Sequence, residues 1–330
     1  MIYYLCPDNN EPVGGVRKIY THVDILNENG YPAYVLHQKK NFRCDWFRNT
    51  TAIACLKKTT ITEEDFIVIP EFYNLAYMNP SRRDDASKAF LTAAASPGQK
   101  VIFNQNTYYT FYGDSFDIDD LRNMHIDDHT VAAMVVSEDG EMFLRHAFPG
   151  LTVMRIHNSI NTGIFSYEGK KKNQICFMPR KNRDHALNVI NLLKYRGVLE
   201  GFTVVPIEGK TEAQTSEIMK ESLIFLSFGY PEGFSLPPAE AMACGCIVIG
   251  YHGMGGKEYF NPDFCYPIET GSILEFARTV EEVIRASWTS SDLLQEKALK
   301  GSSFIREHYS SAIEKKDVLS VWDTLHAGMF

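Results

Sequence analysis

The chain has no stretch approaching the ~20 consecutive apolar residues that a membrane-spanning helix needs. Its opening, MIYYLCPDNN, lacks the basic and apolar regions of a secretory signal. Neither a span nor an export leader is expected. Positive charge is short as well: 33 Lys and Arg against 41 Asp and Glu leave a formal net charge of -8. That argues against a general nucleic-acid binder, which normally carries a basic face. Peripheral membrane contact needs only a patch and stays open, as does a local basic site for a small anion. Paired cysteines are missing too. The seven cysteines (Cys6, Cys44, Cys55, Cys176, Cys244, Cys246, Cys265) are odd in number and mostly sit in apolar runs. They read as reduced core residues of a cytoplasmic protein. Only Cys244 and Cys246 are close, and no second pair completes a zinc ligand set. No fixed short repeat or low-complexity segment occurs.

With 330 residues, 45% of them hydrophobic and 22% charged, the chain is globular and long enough for two domains. Short apolar runs alternate with helix-length amphipathic stretches, the pattern of an α/β fold with parallel sheets. Strands are expected at IYYLCP (2–7), AYVLHQ, DFIVIP (65–70), KVIFNQN (100–106), AAMVVSE (132–138) and LTVMRIHNSI (151–160). A second set runs NQICFMPRK (173–181), FTVVPIE, SLIFLSF (222–228) and CIVIGY (246–251). Helices are expected near 16–29, 184–195 and 213–220, over GSILEFARTVEEVIRAS, and through the last thirty residues. The polar stretch NTGIFSYEGKKKN (161–173) is a credible hinge. The expected division is 1–160, 161–310, and a closing helix, 311–330, able to cross back to the first domain.

Between SLIFLSF and CIVIGY lies GYPEGFSLPPAEAMACG, residues 229–245. Ligands of open parallel sheets gather at the carboxyl ends of strands, where this loop falls. Pro237 or Pro238 suits a first helical turn. Gly233 lets a ligand approach closely, and the N–H groups of Phe234, Ser235 and Leu236 can converge on an anion at the positive helix end. Glu240 could accept from a ribose diol, and Glu232 could face a sugar hydroxyl.

The stretch resembles the E-x7-E signature of retaining GT-B glycosyltransferases of family 4, E-G-F-x-L-P-x-x-E-A-M-A-x-G. It matches from Glu232 through Pro237, from Glu240 through Ala243, and at Gly245. Other segments are similar in the same order. EPVGGVRKIYTHVDILNENGY resembles the family's glycine loop and first helix, which implies that Gly14 and Gly15 lie beside donor phosphates. HNSINTGIF resembles the interdomain linker at Asn158, Asn161 and Phe165. FMPRKNRDHALNVI occupies the segment whose Arg and Lys grip the donor pyrophosphate: Arg180 matches the Arg, and either Lys181 or Arg183 must serve as the Lys. GMGGKEYF resembles the later glycine-rich loop and Glu. Where many members carry a His after a first-domain strand, this chain has IFNQNTYYTF, leaving Asn104, Gln105 or Asn106 to replace its hydrogen bond.

The resemblance implies a GT-B fold: two Rossmann-like doubly wound domains facing across a cleft, the first for acceptor and the second for donor. It implies a retaining transferase that moves sugar from a nucleotide-sugar to a glycan, lipid-linked or other hydroxyl acceptor, in polysaccharide or glycoconjugate synthesis. Cytoplasmic placement, with contact at the inner membrane face left open, would suit that work. Front-face displacement is favoured, with Glu232, Arg180 and Lys181 as catalytic candidates and no metal or other cofactor. A GT-B epimerase and a non-catalytic glycan- or nucleotide-binding subunit are the rival readings. Tyr73, Asn106, Tyr108 and Tyr109 are candidates for the acceptor side. HIDDH (125–129) and RRDD (82–85) read as solvated polar segments rather than metal ligands. Neither the sugar, the base, the acceptor nor the oligomeric state is written in the sequence.

Overall fold

The computed structural model describes residues 1–74, 76, 84–111 and 123–328. It divides into two compact units, Met1–His157 with Glu314–Phe330, and Asn158–Ile313. Each is built on a parallel sheet.

The first unit carries strands β1 (Ile2–Leu5), β2 (Ala33–His37), β3 (Ile53–Cys55), β4 (Phe66–Pro70), β5 (Gln99–Asn104), β6 (Thr130–Val135) and β7 (Val153–Arg155). Their order is β3-β2-β1-β4-β5-β6-β7, all pairs parallel. The central runs IYYL and FIVIP are buried at every position, as expected of parallel strands covered on both faces. From β1 the chain winds outward to β2 and β3, then returns to β4 on the other side of β1. The loops after β1 and β4 therefore diverge, and a crevice opens at that switch point.

The last helix, Ser311–His326, packs within this unit. Trp322 is fully buried and donates through Nε1 to the Tyr4 hydroxyl at 3.1 Å. His157 donates its backbone N–H to Asp317 at 3.0 Å, with its Nδ1 2.6 Å from the same oxygen. Lys18 pairs with Glu314 at 2.8 Å, both buried. Removing either partner would strand a buried charge, at a cost of about 3–5 kcal/mol.

The second unit carries β8 (Lys172–Phe177), β9 (Thr203–Pro206), β10 (Ser222–Phe228), β11 (Ile247–Tyr251) and β12 (Tyr266–Pro267), ordered β12-β11-β10-β8-β9. The reversal falls between β8 and β10, so the loops after these two strands flank the crevice of this sheet. Phe228, Tyr251 and Phe276 pack face and edge beneath it, with ring centroids 4.8–6.1 Å apart.

Several elements differ from expectation. The strand read at 151–160 pairs only over Val153–Arg155. β3 and β12, with three and two residues, carry no apolar run long enough to announce them and exist because a neighbour offers a ladder. Arg82 and Arg83 of RRDD lie outside the described residues. Asp84 is a helix cap, accepting from Ser87 N–H at 2.8 Å before the helix Asp85–Ala94. All seven cysteines are unpaired, and all but Cys55 are buried. Among the described residues no helix is long and apolar enough to cross a membrane.

Candidate active site

In the second unit, the loop after β8 and the loop after β10 are joined through Asn182. This residue adopts a left-handed conformation (φ 46°), which Asn tolerates better than most side chains. Its Nδ2 donates to the carbonyls of Phe228 at 3.2 Å and Gly229 at 2.8 Å. The preceding Lys181 is thereby turned toward the second loop, where its Nζ donates directly to Glu232 Oε2. The other oxygen of Glu232 accepts from Ser235 Oγ at 2.8 Å. Arg183, by contrast, begins the helix Arg183–Tyr195 and pairs with Glu208 at 3.8 Å, both exposed. Arg180 is exposed in the turn before them.

The loop is also fixed from a third side. Glu232 forms a β-bridge with Met254: its N–H donates to Gly253 O at 3.0 Å, and Gly255 N–H donates to Glu232 O at 3.1 Å. The approach is too close for a side chain, since a Cβ on Gly255 would lie 1.9 Å from the Gly233 carbonyl oxygen. Tyr259, fully buried, donates its hydroxyl to the carbonyl of Ser235. Phe234 is buried against Tyr259 and Tyr309, with centroids 5.2 and 5.0 Å away, so its ring is an anchor. Ser235 itself is left-handed (φ 64°) and caps the helix Leu236–Ala243. Of the four described non-glycine residues with positive φ, three (Asn182, Ser235 and Met254) sit in these three loops. Backbone strain concentrates where the surrounding structure over-determines it, and such places are often functional sites.

The outcome is a short turn whose N–H groups at Phe234, Ser235 and Leu236 have no protein partner among the described residues. They lie at the positive end of a helix with a proline-stiffened first turn, next to a carboxylate and a lysine. Glu240 is half-buried on that same helix. This arrangement can hold an anion at the amides and offer Glu232 to a hydroxylated group beside it. The sequence reading had assigned Lys181 and Glu232 to different parts of a ligand; the fold puts them in contact.

In the first unit, Gly14 opens the helix Gly14–Glu28, and the carbonyl of Gly15 accepts from Gln105 Nε2 at 3.1 Å. Beside the switch point Glu71 is buried and accepts the N–H groups of Gln105 at 3.0 Å and Asn106 at 2.9 Å. Burial outweighs these amides and pushes its carboxyl up to about 7. Because the folded value exceeds the ordinary 4.5, stability linked to Glu71 is full below that value and is lost as pH rises through about 7. Thermal midpoints between about pH 5 and 8 should therefore decline more steeply in the native chain than in Glu71→Gln. Parallel slopes would remove Glu71 as the source.

The acceptor-side candidates fare differently. Tyr73 is only 2% exposed and stacks on Phe90 at 5.9 Å; it is a core residue rather than a wall. Asn106 caps the turn Thr107–Tyr109 by accepting from Tyr108 N–H. Tyr108 donates to Asp139 Oδ2 at 2.8 Å, while Tyr109 is exposed. Asn104 is buried against His125 at 2.6 Å. Of HIDDH, Ile126, Asp128 and His129 are exposed as expected, but His125 is not: it is buried between Asn104 and Asn123, and burial lowers its imidazole to about 3. Among the described residues no cluster of three or more His, Cys, Asp or Glu could hold a metal.

Sequence reasoning missed Asn182, Tyr259 and Glu71. Asn182 had a usable signal, an Asn just before a helix start. Tyr259 and Glu71 had none, because their roles are set by partners distant in sequence.

Solved structures share this architecture. Anabaena HepE in complex with UDP superposes with a TM-score of 0.69 at 9% identity, covering 98% of this chain and 99% of that one. Sucrose-phosphate synthase from Thermosynechococcus elongatus superposes with a TM-score of 0.66 at 11% identity over 99% of both chains. The fold is thus GT-B, two Rossmann-like domains. Residues 203–300 match the family of glycosyl transferases group 1. An alpha-1,6-glucosyltransferase of Actinobacillus pleuropneumoniae serotype 7 (strain AP76) is 25% identical over 259 residues, 76% of this chain and 72% of that protein. The chain is a transferase enzyme of the glycosyltransferase class.

Proposed function

We propose that this chain is a retaining glycosyltransferase that moves a hexose from a nucleotide-sugar to a hydroxyl of a glycan or lipid-linked acceptor in polysaccharide or glycoconjugate synthesis. UDP-glucose is the first donor to test, since HepE is known in complex with UDP-glucose and the sequence relative is a glucosyltransferase. The observation that carries the reading is Glu232 held between Lys181 and Ser235, beside the unpartnered amides of 234–236, at the switch point of the second sheet.

Donor diphosphate would sit on those amides with Arg180 and Lys181. Its oxygens compete with Glu232 for Lys181, and Glu232 is then released toward the sugar. Glu240 would take the ribose diol. As the bond from the anomeric carbon to the phosphate oxygen breaks, the acceptor oxygen bonds to that carbon on the same face. Its proton passes to the departing diphosphate, whose charge the amides and bases stabilise. No metal ion is required in this scheme.

UDP-glucose turnover should depend on an acceptor and persist in EDTA, with an α-configured product by NMR. A new nucleotide-sugar formed without acceptor would make the chain an epimerase. UDP binding without turnover across a broad acceptor panel would make it a binding subunit. Arg180→Ala should weaken UDP by about 1.5–3 kcal/mol in calorimetry, the value of a charge-assisted contact; unchanged affinity would take Arg180 out of the site.

A further inference from the structure

A basic hollow lies in the first unit, at the carboxyl edge of two neighbouring strands. β2 and β3 are parallel neighbours with His37 opposite Cys55, so the chain leaves both strands at the same carboxyl edge. After β2 come Gln38, Lys39 and Lys40; after β3 comes the 3₁₀ turn Leu56–Lys58. Between them is an open hollow of about 390 Å³ lined by Gln38, Lys39, Lys40, Cys55, Lys57 and Lys58.

Its geometry is set from behind. Asp8 accepts the N–H groups of Gln38 at 3.1 Å and Lys39 at 2.7 Å, and meets His37 Nδ1 at 3.0 Å. Cys55 Sγ donates to the Gln38 carbonyl at 3.5 Å, tying the two edges together. The turns are thus held by backbone bonds, and the four lysine side chains are left exposed.

Among the described residues, lysines without an ion pair also occur singly elsewhere, Lys194 and Lys210 among them, but here four line one hollow. Lys18, Lys100, Lys172, Lys181, Lys220 and Lys300 all sit against carboxylates. Among the described residues, none of the four lysines around the hollow has such a partner. In a chain of net charge -8, four like charges converging without compensation repel one another, and an anion of high charge density relieves that repulsion.

We propose that this hollow binds a phosphate or diphosphate group. The proposal does not rest on the transferase reading. The phosphate can come from a soluble phosphorylated molecule or from the headgroup of a lipid.

The test uses the full chain carrying Arg180→Ala and Lys181→Ala, so that the donor-side bases do not contribute. Inorganic pyrophosphate is titrated by calorimetry, and sedimentation measures binding to phosphatidylcholine vesicles with and without phosphatidylglycerol. Adding Lys39→Gln, Lys40→Gln, Lys57→Gln and Lys58→Gln should weaken pyrophosphate binding about tenfold or more, while four Lys→Arg changes at the same positions should retain it. Lysine-dependent pyrophosphate binding identifies a soluble phosphate group as sufficient. Lysine-dependent binding to anionic vesicles alone also upholds the site and names a lipid headgroup as its source. If neither probe responds to the Lys→Gln changes while circular dichroism shows the fold intact, the proposal is overturned. No sugar transfer enters this assay, so its failure would leave the transferase reading standing, and absent turnover would leave this site standing.

Discussion

Glu232→Gln should lower kcat about 10²-fold while leaving affinity for the nucleoside diphosphate unchanged or slightly tighter. The two halves of this expectation have different origins. Glutamine keeps an oxygen for the Ser235 hydroxyl and nearly the same shape, so the turn survives. It loses the negative charge that would face the sugar as positive charge develops on its ring, an interaction strongest in the transition state. Lys181 meanwhile loses its carboxylate partner and no longer has to leave one ion pair to form another with the diphosphate. A double-mutant cycle with Lys181→Ala should therefore show coupling in nucleotide binding, of about 0.5–3 kcal/mol for groups in contact. Loss of nucleotide affinity in Glu232→Gln would reassign the residue from the sugar to the diphosphate end. Independent effects of the two changes would mean that the contact plays no part in binding.

The other large effect belongs to a residue with no side chain, packed against the backbone of Gly233 and Glu232. Gly255→Ala should abolish UDP binding and destabilise the second unit by about 1–3 kcal/mol or more. Its Cβ would stand 1.9 Å from Gly233 O, 2.3 Å from Gly233 C and 2.7 Å from Glu232 O. All three are backbone atoms, so no side-chain rotation relieves the overlap. The turn carrying Glu232 and the 234–236 amides must be displaced, with loss of the Gly255 N–H bond to Glu232. Gly150→Ala is the matched control, since an added Cβ there meets nothing within 4 Å. Thermal melts and UDP calorimetry on both proteins decide it. Native-like UDP affinity in Gly255→Ala would show that the close approach is not what shapes the site.

Much of the site was legible in residues 229–245. Gly233, the paired prolines and two glutamates with seven residues between them state local requirements: a close backbone approach, a first helical turn in which two residues need no N–H, acceptors on either side. Local requirements survive reading without a structure because they depend on the chain's own dihedrals and near neighbours. Alternating apolar runs likewise announced parallel α/β sheets, since strands such as FIVIP must be covered on both faces.

What remained hidden depends on pairs distant in sequence. Lys181 lies 51 positions before Glu232, and their contact follows from β8 and β10 being neighbours at the point where the strand order reverses. The same holds for Tyr259 on the Ser235 carbonyl, Glu71 on two amides, and the lysines gathered by β2 and β3. Burial also decided cases that composition leaves open: Tyr73 and His125 read as surface groups and are core. By itself, then, the sequence determined the fold class and the chemistry of one loop, because propensity and periodicity are local. Tertiary structure alone decided which charges meet, which lysines stay uncompensated and which polar groups lose water, because those depend on strand order and packing that no single segment encodes.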